Sequence, residues 1–300
     1  MTDEPQPAYT PRTILLATDL SARCDRALDR AVRLAAQWGA RLVALTVVEP
    51  ADNPAFATLL PSWRQSTDPV RLAERQLRAD MDDAESSATV LVEEGEPAET
   101  IARVAKAHGA DLIVTGIARD EALGRFSLGT TVNRLLRRST VPVLIVKGRP
   151  RHDYRNVVCA TDFSDASRHA LENTAKWFPG SRLVLFHAYE APFSGLVSDD
   201  VNYRRQYRQV ALKDSLEFLA GVDMTPEARS AITPVVESGM PAELLREYVQ
   251  EFGVDLVVLG AKGRSAALDL LIGNTANEIL GRMACDALVV REPSASAEAS

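Results

Sequence analysis

Residues 14–35, ILLATDLSARCDRALDRAVRLA, return in altered form as residues 157–178, VVCATDFSDASRHALENTAKWF. Each copy runs an apolar stretch into Ala-Thr-Asp, one further residue and Ser, then continues at helical spacing. Asp19 and Asp162 therefore correspond, 143 residues apart. The repeat continues downstream: VLVEEGEPAETIARVAKAHGADLIVTG (90–116) matches PVVESGMPAELLREYVQEFGVDLVVLG (234–260). Gly95 pairs with Gly239 and Gly116 with Gly260, both 144 apart. Self-similarity of this kind decides the fold before any local reading does. The chain reads as two duplicated domains, residues 10–147 and 155–292, joined by a linker at 148–154 that carries Gly, Pro and basic residues. Residues 293–300 are small and polar and are expected to form a disordered tail.

Each domain alternates strand and helix. TILLAT (13–18) is a continuous apolar run bounded by turn residues, which predicts a strand buried on both faces. Ser21 is expected to cap the next helix, whose apolar stripe is Ala27, Leu28, Ala31, Leu34, Ala35 and Trp38, and Gly39 is expected to end it. RLVALTVV, ATVLVEEG, ADLIVTG and VPVLIVK supply further strands. Between the last of these, GEPAETIARVAKAHG places Pro97 at the first helical position and Glu99 in the first turn. A longer excursion at 49–87 contains a helix around PVRLAERQLRADM. Such alternation predicts, in each domain, an α/β fold with a doubly wound parallel sheet and helices on both faces. Open sheets of this type bind ligands at the carboxyl ends of their strands, where strand order reverses.

Composition narrows the function. The 300 residues are 46% hydrophobic and 25% charged, with a net charge of −7. An acidic chain is a poor partner for nucleic acid or an anionic membrane, because both require a basic face. The apolar runs are strand-sized, shorter than the ~20 residues of a membrane span, and the acidic N-terminus MTDEPQPAYTPR has no apolar signal core. Cys24, Cys159 and Cys285 are scattered and odd in number. They suit packed thiols in a reducing cytoplasm, which is the expected location. The four histidines have no metal-binding spacing, so no metal site is expected.

The chemistry is carried by a loop. In LGAKGRSAALDLLIGNT (259–275), Gly260, Gly263 and Gly273 stand between a buried strand and a helical pattern. Glycine lets backbone approach a ligand and adopt positive φ without a side-chain clash. Successive amides can then form an anion nest, reinforced by the N-terminus of the following helix. Lys262 and Arg264 face one acid in the loop, Asp269.

With these residues in place, the chain resembles the universal stress protein family, twice over and across nearly all of residues 10–292. The resemblance rests on the spacing G-x2-G-x9-G after the fourth strand, on the strand-one Asp and on the final PVLIV-type strand. It implies a tandem member with two five-strand parallel sheets in the order 3-2-1-4-5, a fold similar to the adenine-nucleotide α-hydrolases. It implies ATP as ligand, with Mg2+ as an accompanying ion. Adenosine would sit over the first, second and fourth strand ends and the phosphates in the glycine loop. In the second domain, the main candidate, the implied contacts are Ala160, Thr161, Asp162, His187, Gly260, Lys262, Gly263, Arg264, Gly273, Asn274 and Thr275. In the first they are Thr18, Asp19, Gly116, Gly129, Thr130 and Thr131. The two domains are expected to pair within the chain as separate copies do in the family, and a homodimer would extend that pairing.

Both loops depart from the family pattern. Asn274 stands where Ser or Thr is usual, and is expected to retain a capping role. In the first domain Arg119 replaces the middle glycine, where a Cβ would resist a left-handed backbone by about 1–2 kcal/mol. Asp120 and Glu121 follow it and cancel the local charge, so the second domain is expected to bind ATP better. Asp19 and Asp162 read equally as ligand contacts and as turn residues. His187 reads as packing or base recognition. RLLRRS (134–139) reads as the solvated end of a helix. The helix around 203–220 is expected to bury Tyr203, Tyr207, Val210, Ala211, Leu216 and Leu219, as a core or interface stripe or as the roof of an apolar-ligand site.

No Ser/His/Asp set or paired catalytic carboxylates stand out. ATDLS and ATDFS replace the phosphate loop that an enzyme of this fold would carry after its first strand. The expectation is a stress-response regulatory module that binds ATP with little or no catalysis. A stress or scaffold protein that acts through protein partners without a nucleotide is the alternative.

Overall fold

The computed structural model describes residues 10–50, 68–84, 87–117, 119–120, 125–126, 128–190, 200–261 and 273–291. The chain forms two compact units. The first holds residues 11–118 and 128–150; the second holds residues from 151 onward and groups with it the short ladder of β5 (Arg119–Asp120) and β6 (Arg125–Phe126).

In the first unit the strands are β1 (Thr13–Thr18), β2 (Arg41–Val48), β3 (Thr89–Glu94), β4 (Leu112–Thr115) and β7 (Val143–Ile145). They pair in parallel in the order β3-β2-β1-β4-β7, the expected 3-2-1-4-5 arrangement. β1 lies between β2 and β4, and Ile14, Leu15 and Leu16 have no exposed surface. Each such side chain contributes about 1.5–3 kcal/mol on burial, which is why the continuous apolar run was readable as a central strand. The helices are α1 (Asp25–Trp38), α2 (Pro69–Asp83), α3 (Pro97–Ala107) and α4 (Gly129–Arg138). Gly39 ends α1 in the left-handed conformation, as expected, at φ 63°. Ser21 does not cap it: α1 begins four residues later, with Cys24 at the N-cap and no side-chain cap bond. Ser21 turns back to Asp19 instead. Pro97 opens α3 and Glu96 caps it by accepting from the Glu99 amide. Arg134 and Arg138 of α4 pair with Glu96 and Glu99 at the solvated face.

The second unit repeats the plan with β8 (Asn156–Ala160), β9 (Arg182–Tyr189), β10 (Thr233–Ser238), β11 (Leu256–Gly260) and β12 (Asp286–Val290). The order is β10-β9-β8-β11-β12, again parallel. Its helices are α5 (Asp165–Trp177), α6 (Asp200–Ala220), α7 (Pro226–Ala231), α8 (Pro241–Phe252) and α9 (Asn274–Arg282). At the amino ends of the strands one carboxylate ties two amides in each unit. Asp111 accepts from Arg12 and Thr13, and Asp255 from Arg155 and Asn156. Tyr154 is buried and donates to the buried Asp286 at 2.6 Å.

α6 buries only part of the expected stripe: Ala211 and Leu219 are buried as expected, and Tyr207 is half-buried. Ala211, Ser215, Phe218 and Leu219 face inward with Val222 just beyond, while Val210 and Leu216 are more than half exposed. Ser215 is tolerated there because its hydroxyl donates to the Ala211 carbonyl one turn back, at 2.8 Å. The side chain of Tyr203 lies outside the described residues. No described helix is long and apolar enough to cross a membrane.

Candidate functional site

The carboxyl end of β8 is where the second sheet reverses its order, with β9 on one side and β11 on the other. The chain leaves β8 through Thr161-Asp162-Phe163-Ser164 before entering α5. Phe163 is held at φ 63°, a left-handed conformation that costs a non-glycine residue about 1–2 kcal/mol. Four contacts fix it. The Phe163 amide donates to Thr161 Oγ1 at 2.9 Å, and the Ser164 amide and hydroxyl both donate to Asp162 Oδ1, at 3.1 and 2.6 Å. The Thr161 and Ser167 hydroxyls share a bond of 2.8 Å. Ser164 then caps α5 by accepting from the Ser167 amide.

The first unit builds the same turn. Leu20 is left-handed at φ 58°, its amide donates to Thr18 Oγ1, and the Ser21 amide and hydroxyl donate to Asp19 Oδ1 at 3.0 and 2.5 Å. Cys24 stands where the second unit has Ser167. Burial disfavours charge on Asp19, but hydrogen bonds from Ser21 and Cys24 outweigh it and hold the carboxyl below its ordinary value. Burial pushes the Cys24 thiol up to about 11. Both aspartates thus do serve the turn, by organising a strained strand-to-helix junction.

His187, on β9, is held by the same junction. Its Nδ1 lies 2.8 Å from the Thr161 carbonyl. A carbonyl can only accept, so Nδ1 carries the proton. The ring lies against Phe163 at 4.2 Å between centroids, and Phe163 meets Phe218 of α6 at 5.5 Å. Phe218 thus occupies part of the underside of α6, where an apolar ligand had been one reading.

The glycine loop divides into what is described and what is not. Lys262, Gly263 and Arg264 lie outside the described residues. Gly260 ends β11, and a Cβ on it would stand 2.7 Å from the Ala166 carbonyl carbon and 2.8 Å from the Ser167 nitrogen. Gly260 therefore admits the first turn of α5. Its counterpart Gly116 is less tightly met, with Cys24 Sγ at 3.3 Å and the Arg23 carbonyl at 3.5 Å. Neither Gly260 nor Gly273 has positive φ; Gly273 lies at φ −57°, ψ 146°. The expected left-handed nest is thus absent at these two positions, because an extended backbone already leads the chain into α9. In the glycine loop of the first repeat, Gly129 is left-handed at φ 69°, whereas Arg119 is extended in β5 opposite Phe126 and escapes the expected steric cost.

Asn274 does not cap α9. Gly273 holds the N-cap and Asn274 is the first helical residue, exposed beside the exposed Thr275. Among helices whose N-terminal turns are described, α4 and α9 alone have neither a side-chain cap nor an acid in the first turn. These are the two helices that follow the glycine loops. Their first turns hold Thr130 and Thr131, and Asn274 and Thr275. The amides at the positive end of a helix dipole can take an anion where no side chain or carboxylate competes for them. Among the described residues no cluster of His, Cys, Asp and Glu is arranged to hold a metal.

Two residues here escaped the reading of the sequence. Phe163 shows no signal in composition or periodicity; only its left-handed backbone marks it. Ser167 is one helical turn beyond the Ser164 cap, and its pairing with Thr161 needs the folded junction.

The sequence model of the universal stress protein family matches residues 10–147 and again residues 153–291. A universal stress protein of Mycolicibacterium smegmatis is 27% identical over 297 residues, covering 93% of this chain and 96% of that one. A universal stress protein of Thermus aquaticus is 33% identical over 141 residues, covering 45% of this chain and 98% of its own. Among solved structures, a universal stress protein from Archaeoglobus fulgidus has a TM-score of 0.63 at 18% identity and covers 95% of this chain and 100% of that chain. At that identity the likeness concerns the fold.

Proposed function

The chain is a tandem member of the universal stress protein family, and from that premise we propose that it is a regulatory module that binds ATP in its second domain and carries out little or no chemistry on it. The supporting observation is that the two helices behind the glycine loops, α4 and α9, have neither a side-chain cap from the N-cap residue nor an acid in the first turn, whereas the other described helix starts have one or the other. In this reading the triphosphate rests on the amides at Gly273, Asn274 and Thr275, Lys262, Gly263 and Arg264 are further contacts, and Mg2+ accompanies the nucleotide. Adenosine lies at the ends of β8, β9 and β11, against Ala160, Thr161, Asp162, Gly260 and the wall made by Phe163 and His187. The corresponding first-domain group, Thr18, Asp19, Gly116, Gly129, Thr130 and Thr131, is the weaker site. The two domains pair within the chain and act in the cytoplasm.

Calorimetry with ATP and Mg2+ tests this reading. Wild-type protein is expected to bind, and Gly263→Val to bind at least tenfold more weakly. An absence of heat from wild type, or equal affinity in the variant, rejects it. The scaffold reading, in which partners replace the nucleotide, is favoured by one observation: the packing of Gly260 against α5 accounts for that glycine without any ligand. Mass spectrometry of small molecules released from purified protein separates the two.

A further inference from the structure

At the outer edge of the second sheet, a groove of about 540 Å3 runs between α8 and strands β9 and β10. It shares no residue with the junction after β8 or with α9. Three aromatic rings line it. Tyr248 and Phe252, one helical turn apart on α8, tilt together at 4.4 Å, and Phe186 of β9 meets Tyr248 at 5.5 Å. Phe252 is 51% exposed, so the aromatic cluster reaches the surface. Three carboxylates join them: Glu237 of β10, and Glu247 and Glu251 of α8. Glu237 and Glu251 have no ion pair among the described residues, and Glu247 has only its exposed chain neighbour Arg246, at 3.7 Å.

The duplicated domain shows what such a carboxylate accepts. Glu93 corresponds to Glu237, and Arg103 to Glu247. In the first unit the Arg103 guanidinium donates to Glu93 at 3.1 Å. The equivalents of the three rings there are Leu45, Val104 and His108. The first domain thus supplies its own cation beside Leu45, Val104 and His108. The second has replaced that cation with a carboxylate, and the leucine and valine with Phe186 and Tyr248.

We propose that this groove docks a segment of a partner protein that presents an arginine side chain beside Glu237. A guanidinium is planar, pairs with carboxylates in its plane and stacks on aromatic faces, so it uses both halves of the lining at once. β10 is the outermost strand of its unit's sheet. An extended segment can therefore lie along the groove, which favours a peptide over a free small cation.

The test is fluorescence anisotropy of labelled tetra-arginine amide titrated with the full chain at physiological salt. Wild type is expected to bind saturably. Glu247→Arg, which restores the first domain's internal cation, is expected to weaken binding at least tenfold, and Glu237→Gln severalfold. Asp214→Arg, the same charge change on an exposed position of α6, is expected to change it less than twofold. The proposal is overturned by absence of binding, by equal losses in Glu247→Arg and Asp214→Arg, or by arginine amide alone binding as tightly as the peptide.

Discussion

Gly260 and Ala166 approach so closely that a Cβ on the glycine would sit 2.7 Å from the Ala166 carbonyl carbon, inside the backbone of α5. Rigid backbone, rather than a movable side-chain tip, is what it would meet. The corresponding Gly116 meets the Cys24 sulfur at 3.3 Å, a contact that small shifts can relieve.

Gly260→Ala is therefore expected to destabilise the second domain by about 1–3 kcal/mol, the usual cost of forced overpacking. Gly116→Ala is expected to cost the first domain less. Urea unfolding followed by circular dichroism compares them, and equal losses would show that the two junctions are equally tolerant.

Asn274→Asp separates helix stability from ligand binding. A carboxylate in the first turn of α9 favours that helix by about 0.3–1 kcal/mol. If a triphosphate rests on the same amides, the added charge should weaken ATP about tenfold, which is ~1.4 kcal/mol. A variant with raised melting temperature and reduced ATP affinity is the expected outcome, read by calorimetry. Unchanged affinity would place the phosphates elsewhere.

The turn after β1 has a predictable pH response. The Asp19 carboxyl is held below its ordinary value in the folded state, after hydrogen bonds from Ser21 and Cys24 overcome burial. Its stabilising contribution is thus present above about pH 4, the unfolded value, and fades as pH falls through the folded one. Ser21→Ala removes both a hydroxyl donor and part of that depression. NMR titration should show the Asp19 carboxyl rising towards its ordinary value in this variant, with a shallower acid limb of stability.

Thiol chemistry should be confined to one position. Burial pushes Cys159 up to about 12 and Cys24 up to about 11, so both remain protonated near neutrality and out of reach. Cys285 is half-buried. Native protein treated with iodoacetamide at pH 8 is expected to gain its first label at Cys285, as read by peptide mass spectrometry. Equal labelling of Cys159 would show that the sheet around it opens.

The strands were legible because they are buried on both faces, so that Ile14 to Leu16 and Val157 to Cys159 form unbroken apolar runs. The duplication was legible because offsets of 143 and 144 persist through several segments. The inward face of α6 was not. Val210 and Leu216 are as apolar as Phe218, and only the angle at which the helix meets the sheet selects Ser215 over Leu216. The packing of Gly260 against α5 was not legible either. A glycine at a strand end signals close approach of something, but not whether that something is a phosphate or another stretch of backbone. The left-handed Leu20 and Phe163 left no trace in sequence, because neither residue type favours that conformation. The pairing of Asp162 with Ser164 was half visible as a turn signal.

The hydroxyl bridge from Thr161 to Ser167 and the seating of Gly260 on Ala166 both fasten to a single coil of α5. That coil acts as a shared bearing for the exits of β8 and β11. A displacement of that coil would therefore disturb both exits together.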